Sequence, residues 1–332
     1  MRSSMFKERN TALLSSEFEL RRLKLLDITV LAGGPGAERE VSLNSGRAVR
    51  DALCRLGHQV ELSDIGPTDL SALDRPADFV FIALHGEFGE DGALQAELDA
   101  RGLRYSGSGA AASRLAMNKA ESKKGFEHAG LPTPPFELVS PLELKDLAKR
   151  IKPPVVVKPV SSGSSVDTSI ARTPEALEEA ANVVVAKYGC ALVEKYVAGP
   201  ELTVGILGDE ALPVCEIRTS REFYDYQAKY VDDNTQYLFD LDLPSDLLEG
   251  VQRYSLAAHR ALGCRAFSRV DCMIDAASLT PYFLEVNTIP GFTSHSLLPK
   301  AAARIGLTFD RLCQRIVELS MPNRRVADEK SP

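Results

Sequence analysis

Residues 269–287, Arg269-Val270-Asp271-Cys272-Met273-Ile274-Asp275-Ala276-Ala277-Ser278-Leu279-Thr280-Pro281-Tyr282-Phe283-Leu284-Glu285-Val286-Asn287, set polar side chains into two runs that otherwise read as apolar strands. The strands are expected over Ala266–Ile274 and Tyr282–Asn287. Arg269 and Asp271 stand two apart, as do Glu285 and Asn287, so each pair shares a strand face. If the two strands are neighbours, one surface presents Asp271, Glu285 and Asn287, all hard oxygen donors, with Arg269 as a fixed cation beside them. Such a set suits Mg²⁺, which takes one or two carboxylates together with nucleotide phosphates. A solvated face of ion pairs fits less well, because strands this apolar are expected to be buried.

Two further segments point the same way. Val157-Lys158-Pro159-Val160-Ser161-Ser162-Gly163-Ser164-Ser165 reads as a strand ending in Lys158 and running into a loop of small residues. Such a loop exposes backbone N–H groups that can cradle phosphate, with the lysine as a point charge. It is not a Walker A sequence, and taken alone it would pass for a plain turn. The other segment, His85-Gly86-Glu87-Phe88-Gly89-Glu90-Asp91-Gly92, follows the continuously apolar run Phe79–Leu84. Glycines at the carboxyl end of a buried parallel strand allow close backbone approach where α/β proteins bind ligands. His85 lacks neighbouring metal ligands, so a hydrogen-bonding or packing histidine is expected.

The chain has 332 residues, enough for two or three domains with a substantial core. A formal net charge of −7 argues against a nucleic-acid binder, which needs a basic surface. The six cysteines are scattered without CxxC spacing, which suggests buried free thiols in a reducing compartment. No run is long enough to span a membrane, and Met1–Leu26 is charged throughout and makes a poor signal peptide. A cytoplasmic location without membrane association is expected.

The pattern along the chain alternates. A strand over Lys24–Leu31 enters a glycine turn, and a helix is expected from Ser42, with Val49, Ala52, Leu53 and Leu56 at helical spacing and Gly57 as its stop. Strands follow at Gln59–Leu62 and Phe79–Leu84, giving an α/β first domain with a largely parallel sheet. Helices are expected over Ala93–Ala100 and Ala110–Ala129, the second broken near Asn118, before the stiff linker Leu131–Pro135. A second unit has strands at Phe136–Val139, Val155–Lys158 and Ala191–Glu194, and helices over Leu142–Arg150 and Pro174–Tyr188, the latter capped by Thr173 and stopped by Gly189. A third part has strands around Gly208-Asp209, a polar loop Thr219–Pro244 and a helix Ser245–Leu262.

These segments, in order, resemble the D-alanine–D-alanine ligases. The resemblance is carried by Ala37-Glu38-Arg39-Glu40-Val41-Ser42-Leu43-Asn44-Ser45-Gly46, His85–Gly92, Tyr105–Gly109, Ala116-Met117-Asn118-Lys119 and Val157–Val166. It continues through Val193–Glu201, Phe223–Tyr230, Arg269–Asp271 and Leu284–Leu297, and spans about Asp27 to Leu319.

The resemblance implies an α/β chain with the ATP-grasp fold behind an N-terminal α/β domain. The implied division is an extension over 1–26, a first-substrate domain over 27–107, ATP-grasp subdomains over 108–194 and 195–320, and a tail over 321–332. Lys119 and Lys158 would contact the ATP phosphates, with Ser164 and Ser165 in the phosphate loop. Glu194, Lys195 and the backbone of Val197 would hold the adenine, and Glu201 the ribose. Lys229 and Tyr230 would belong to a mobile loop, Tyr230 reaching towards Ser164 and Glu38 and favouring peptide over ester formation. Asp271, Glu285 and Asn287 would hold two Mg²⁺ ions, replaceable by Mn²⁺. Glu38 would anchor the ammonium of the first D-alanine, with His85 in the same pocket, while Ser296 and Leu297 receive the second. Arg269 and the Gly291 N–H would stabilise the oxyanion. A homodimer serving peptidoglycan synthesis is the family expectation.

Two departures from the family pattern stand out. Asp167 replaces the usual glycine, where a carboxylate is expected to repel phosphate or strain the backbone, and Tyr237–Leu241 lacks the usual proline-alanine. The alternatives are a ligase forming D-alanine–D-lactate or another D-dipeptide, or a catalytically weak nucleotide-binding regulator.

Overall fold

A computed structural model describes residues 25–36, 38–219, 234–293 and 296–321. Thirteen strands are assigned among them, in three sheets. The first contains β1 (Asp27–Gly33), β2 (Gln59–Ile65) and β3 (Phe79–Ile82), ordered β2-β1-β3 with both pairings parallel. All four residues of β3 are buried, as its unbroken apolar run requires.

The second sheet is antiparallel. It contains β4 (Phe136–Val139), β5 (Val155–Pro159), β6 (Ser169–Ala171) and β7 (Ala191–Lys195), ordered β4-β7-β5-β6. Helix Pro174–Tyr188 covers one face, burying Leu177, Ala181, Val184 and Val185. Thr173 accepts from the Ala176 N–H at its start, and Gly189 ends it at φ 78°, a left-handed conformation that glycine adopts without strain.

The third sheet holds β8 (Glu201–Leu207), β9 (Glu210–Ala211), β10 (Cys215–Arg218), β11 (Gln236–Leu238), β12 (Phe267–Ile274) and β13 (Pro281–Asn287). Its order is β11-β10-β8-β12-β13, with β9 folding back on β8. Helix Ser245–Ala261 packs Val251 and Ala258 against it. Helices Leu297–Arg304 and Phe309–Ser320 turn the other way. Their Leu298, Leu312 and Ile316 share a core with Val30, Leu53 and Phe81 of the first sheet and helix Arg39–Arg55. Phe292 joins these layers, with ring centroids 5.4 Å from Phe81 and 5.7 Å from Phe267.

Several boundaries differ from those the sequence predicts. The first helix starts at Arg39, not Ser42, because its first turn is charged and does not announce itself by apolar periodicity. The helix expected over Leu142–Arg150 is a 3-10 turn at Pro141–Glu143 and a short helix at Leu147–Arg150. A capping box between Ser140 and Glu143 starts the first piece, and Asp146 at φ 61° separates it from the second. Strands β6, β10 and β11 and both C-terminal helices lie outside the elements the periodicity predicts. All six cysteines are free, although Cys54 is exposed and Cys190 half-buried rather than buried as expected. No helix among the described residues is long and apolar enough to cross a membrane.

Candidate active site

Strands β12 and β13 are antiparallel neighbours. Arg269 lies opposite Asn287, and Asp271 opposite Glu285. The two i, i+2 pairs therefore meet on one face, the arrangement that their spacing predicts only if the strands adjoin. Arg269 grips Asp271 at both oxygens, Nε to Oδ1 at 2.9 Å and an NH2 group to Oδ2 at 2.6 Å. Thr203 of β8 adds a hydroxyl to Oδ1 at 2.6 Å. Both members of the ion pair are buried, so partner and geometry are held tightly. Glu285 is more open and lies 3.4 Å from the Lys119 ammonium.

The small-residue loop, expected to cradle phosphate, leaves β5 and turns through Ser164, Ser165 and Asp167 at φ 51°, 55° and 54°. These left-handed residues turn the chain back on itself within a few residues. Ser164 Oγ donates to Glu38 Oε1 at 2.6 Å, which links the loop to the start of helix Arg39–Arg55. Gly163 and Gly86 crowd the other Glu38 oxygen, where an added Cβ would come within 3.3 and 3.0 Å. Lys119 donates to the Ser162 carbonyl at 2.5 Å.

Asp167 does not point at the loop's interior. Its Oδ2 accepts from Lys187 Nζ at 2.6 Å and from the Tyr188 hydroxyl at 2.5 Å, and these partners hold its carboxyl below the usual range. The expectation of phosphate repulsion is thus corrected, since the charge is turned away and paired on helix Pro174–Tyr188. The expected backbone strain takes the form of a left-handed φ of 54° at Asp167.

Glu194 on β7 is buried between two lysines. Lys158 Nζ donates to Oε1 at 2.5 Å, and Lys123 Nζ lies 2.7 Å from Oε2. Burial by itself would raise the Glu194 carboxyl, but Lys158 and Lys123 outweigh it and hold it low. His85 is also buried. Its Nε2 lies 3.2 Å from Ser45 Oγ, and its Nδ1 lies 3.2 Å from the Ile289 carbonyl and 3.6 Å from Glu90. Burial disfavours its protonation, yet Glu90 and Glu38 outweigh this and raise it. It is a hydrogen-bonding histidine, as expected. Gly291 leaves no room for a side chain, because a Cβ there would sit 2.5 Å from Ser296 Oγ.

Two adjoining clefts collect these residues. One is lined by Glu38, His85, Ser164, Arg269, Asn287, Gly291, Ser296 and Leu297. The other is lined by Lys158, Ser165, Glu194, Lys195, Val197, Glu201 and Asp271. Lys119, Ser162 and Glu285 border both. Lys229 and Tyr230 lie outside the described residues. Lys123, Thr203 and Ser45 join the site without a role predicted from the sequence. Only Lys123 carried a usable signal, one helical turn after Lys119 on the same face.

A cleft between an antiparallel central sheet and a second antiparallel sheet, with lysines on one wall and carboxylates on the other, defines an ATP-grasp ligase. A profile described as "D-ala D-ala ligase C-terminus" matches residues 126–318, and its N-terminal counterpart matches residues 59–108. The chain is 43% identical over 300 residues to a D-alanine–D-alanine ligase from Gloeobacter violaceus, covering 89% of this chain and 99% of that one. It superposes on the ligase from Bacillus anthracis complexed with ATP with a TM-score of 0.77 and 33% identity, covering 89% and 97% of the two chains. A D-Ala:D-Ser ligase from Enterococcus faecalis matches with a TM-score of 0.79 at 26% identity, covering 90% and 100%. The chain belongs to the D-alanine–D-alanine ligase family.

Proposed function

We propose that this chain joins two D-alanine molecules into D-alanyl-D-alanine, with ATP converted to ADP and phosphate. The observation that carries the reading is the Ser164–Glu38 hydrogen bond of 2.6 Å, beside Arg269, Glu285 and Gly291 in one cleft. It brings a carboxylate fit for an amino-acid ammonium up against a loop fit for phosphate.

A carboxylate is a poor electrophile, so one of its oxygens must become a leaving group. The first D-alanine, held by its ammonium at Glu38, attacks the γ-phosphorus of ATP through a carboxylate oxygen, and ADP departs. Lys158 and Lys119 bind the phosphates. The amine of the second D-alanine, seated near Ser296 and Leu297, loses a proton and attacks the acyl phosphate carbonyl. Arg269 and the Gly291 N–H receive the oxyanion, which collapses to the amide as phosphate leaves. Water must be excluded meanwhile, a role read for the loop of Lys229 and Tyr230.

The donors of β12 and β13 fit Mg²⁺ shared with nucleotide better than a metal cage made by protein alone. No group of three His, Cys, Asp or Glu side chains arranged for a metal occurs among the described residues, and Asp271 already accepts three hydrogen bonds. Asp271, Glu285 and Asn287 would hold two ions that neutralise phosphate charge. Mn²⁺ has the same ligand preference.

The test is mass analysis of the product formed from ATP, Mg²⁺ and a mixture of D-alanine and D-lactate. Dipeptide should dominate at and above neutral pH, because raising the pH frees the amine. Mainly D-alanine–D-lactate at neutral pH would reassign the second substrate. ADP release independent of D-alanine would point to the regulatory alternative. Homodimer formation belongs to the same reading and is checked by the molecular mass in solution.

A further inference from the structure

Lys123 is completely buried, yet no step of the reaction uses it. It sits one turn after Lys119 on helix Lys119–His128. Its ammonium donates to Thr133 Oγ1 at 2.8 Å and lies 2.7 Å from Glu194 Oε2. The second contact is off the line of a hydrogen bond, so its attraction is chiefly electrostatic. Thr133 passes the connection on to the Phe283 carbonyl of β13 at 2.8 Å. The Phe136 ring lies 5.6 Å away. A lysine in such a place loses most of its hydration, and only a strong counter-charge justifies retaining it.

That counter-charge is Glu194, which Lys158 also uses. Two ammonium groups therefore face one carboxylate. We propose that Lys123 is a positioning residue of the nucleotide cleft: it balances the charge of Glu194, so that Lys158 stays anchored to that carboxylate while its own positive charge remains available to the nucleotide phosphates. Without Lys123, Lys158 and Glu194 form a closed one-to-one pair that offers phosphate little net charge. The inference rests on reading Lys158 as a phosphate ligand.

The pair of cations costs something. Burial lowers Lys123 to about 8, with Glu194 opposing and Lys158 adding to the shift. Lys123 thus remains largely protonated at neutral pH.

The experiment measures binding of ATP with Mg²⁺, and of adenosine, to the full chain and to Lys123→Met, Glu194→Gln and the double variant. Adenosine reports on the cleft without the phosphates. Lys123→Met should weaken ATP at least about tenfold while adenosine changes by less than about twofold, as expected for loss of one nearby charge. Adding Glu194→Gln leaves Lys158 as the net positive charge, as in the unaltered trio, and should bring ATP affinity back towards that of the unaltered chain. Equal losses for ATP and adenosine in Lys123→Met would make Lys123 a packing residue and overturn the proposal. So would a double variant no better than Lys123→Met. Absence of ATP binding by the unaltered chain would instead overturn the functional reading itself.

Discussion

Arg269 and Glu285 make different demands on the same face. Arg269 is committed to Asp271 by two hydrogen bonds, so its guanidinium is preorganised and pays no ordering cost when charge develops nearby. Losing one such donor typically costs about 10²–10³ in kcat. Arg269→Ala should lose at least that, with ATP affinity less affected, as steady-state kinetics on the folded variant would reveal. A change confined to the KM for ATP would make Arg269 a phosphate ligand only. Glu285→Gln removes one charge from the wall that faces Lys119. It should abolish turnover and flatten the Mg²⁺ dependence of nucleotide binding, and turnover at the unaltered rate would refute the metal assignment. Asp167 presents the opposite case, since its charge is spent on Lys187 and Tyr188. Glycine there relieves a left-handed conformation worth about 1 kcal/mol and severs only an exposed tether. Asp167→Gly should therefore keep or improve ATP affinity, and a marked loss of activity would give the tether a role of its own.

At the scale of elements, the helix Ser245–Ala261 sets a pH limit. His259 is buried with its Nδ1 2.7 Å from Ser268 Oγ on β12. Burial first, then the neighbouring Arg260, lowers it from 6.5 to about 4, against a small opposing pull from Asp209. Above pH 6.5 the ring is neutral in both folded and unfolded chains and costs nothing. As pH falls from 6.5 towards 4, the unfolded chain takes up a proton first, and stability is lost. The loss has a ceiling of about 3 kcal/mol. Denaturant unfolding of the unaltered protein and His259→Gln, compared across that window, should converge as pH falls; parallel curves would show that His259 does not titrate as its burial implies. The helix is expected over Ser245–Leu262, whereas the neutral state of His259 depends on how β12, the next element in the chain, packs back against it.

Across the whole molecule, the first sheet is fastened to the C-terminal helices. Phe292 is fully buried between Phe81 and Phe267, and the Gly107 N–H donates to Ser320 Oγ at 3.1 Å. Phe292→Ala should cost about 3–5 kcal/mol, the usual range for deleting a buried ring. Thermal unfolding would read this as a lowered Tm, and a near-unchanged Tm would mean that the layers are joined elsewhere. Phe292 follows Gly291, so the same segment that offers the proposed oxyanion N–H also anchors the first sheet.

The amino-acid sequence alone determined the alternation of elements, the pairing of polar residues two apart on the β12 and β13 segments, and the family. These are local properties, carried by spacing along one segment or by motifs in order. It did not determine that Asp271 faces Glu285 across a strand pair, that Asp167 turns its charge away from the loop, or that Lys123 and Lys158 share Glu194. Each of these depends on which segments lie side by side. An ionisable side chain acquires its role from the charges and burial that the fold brings to it, and those come from residues distant in the chain.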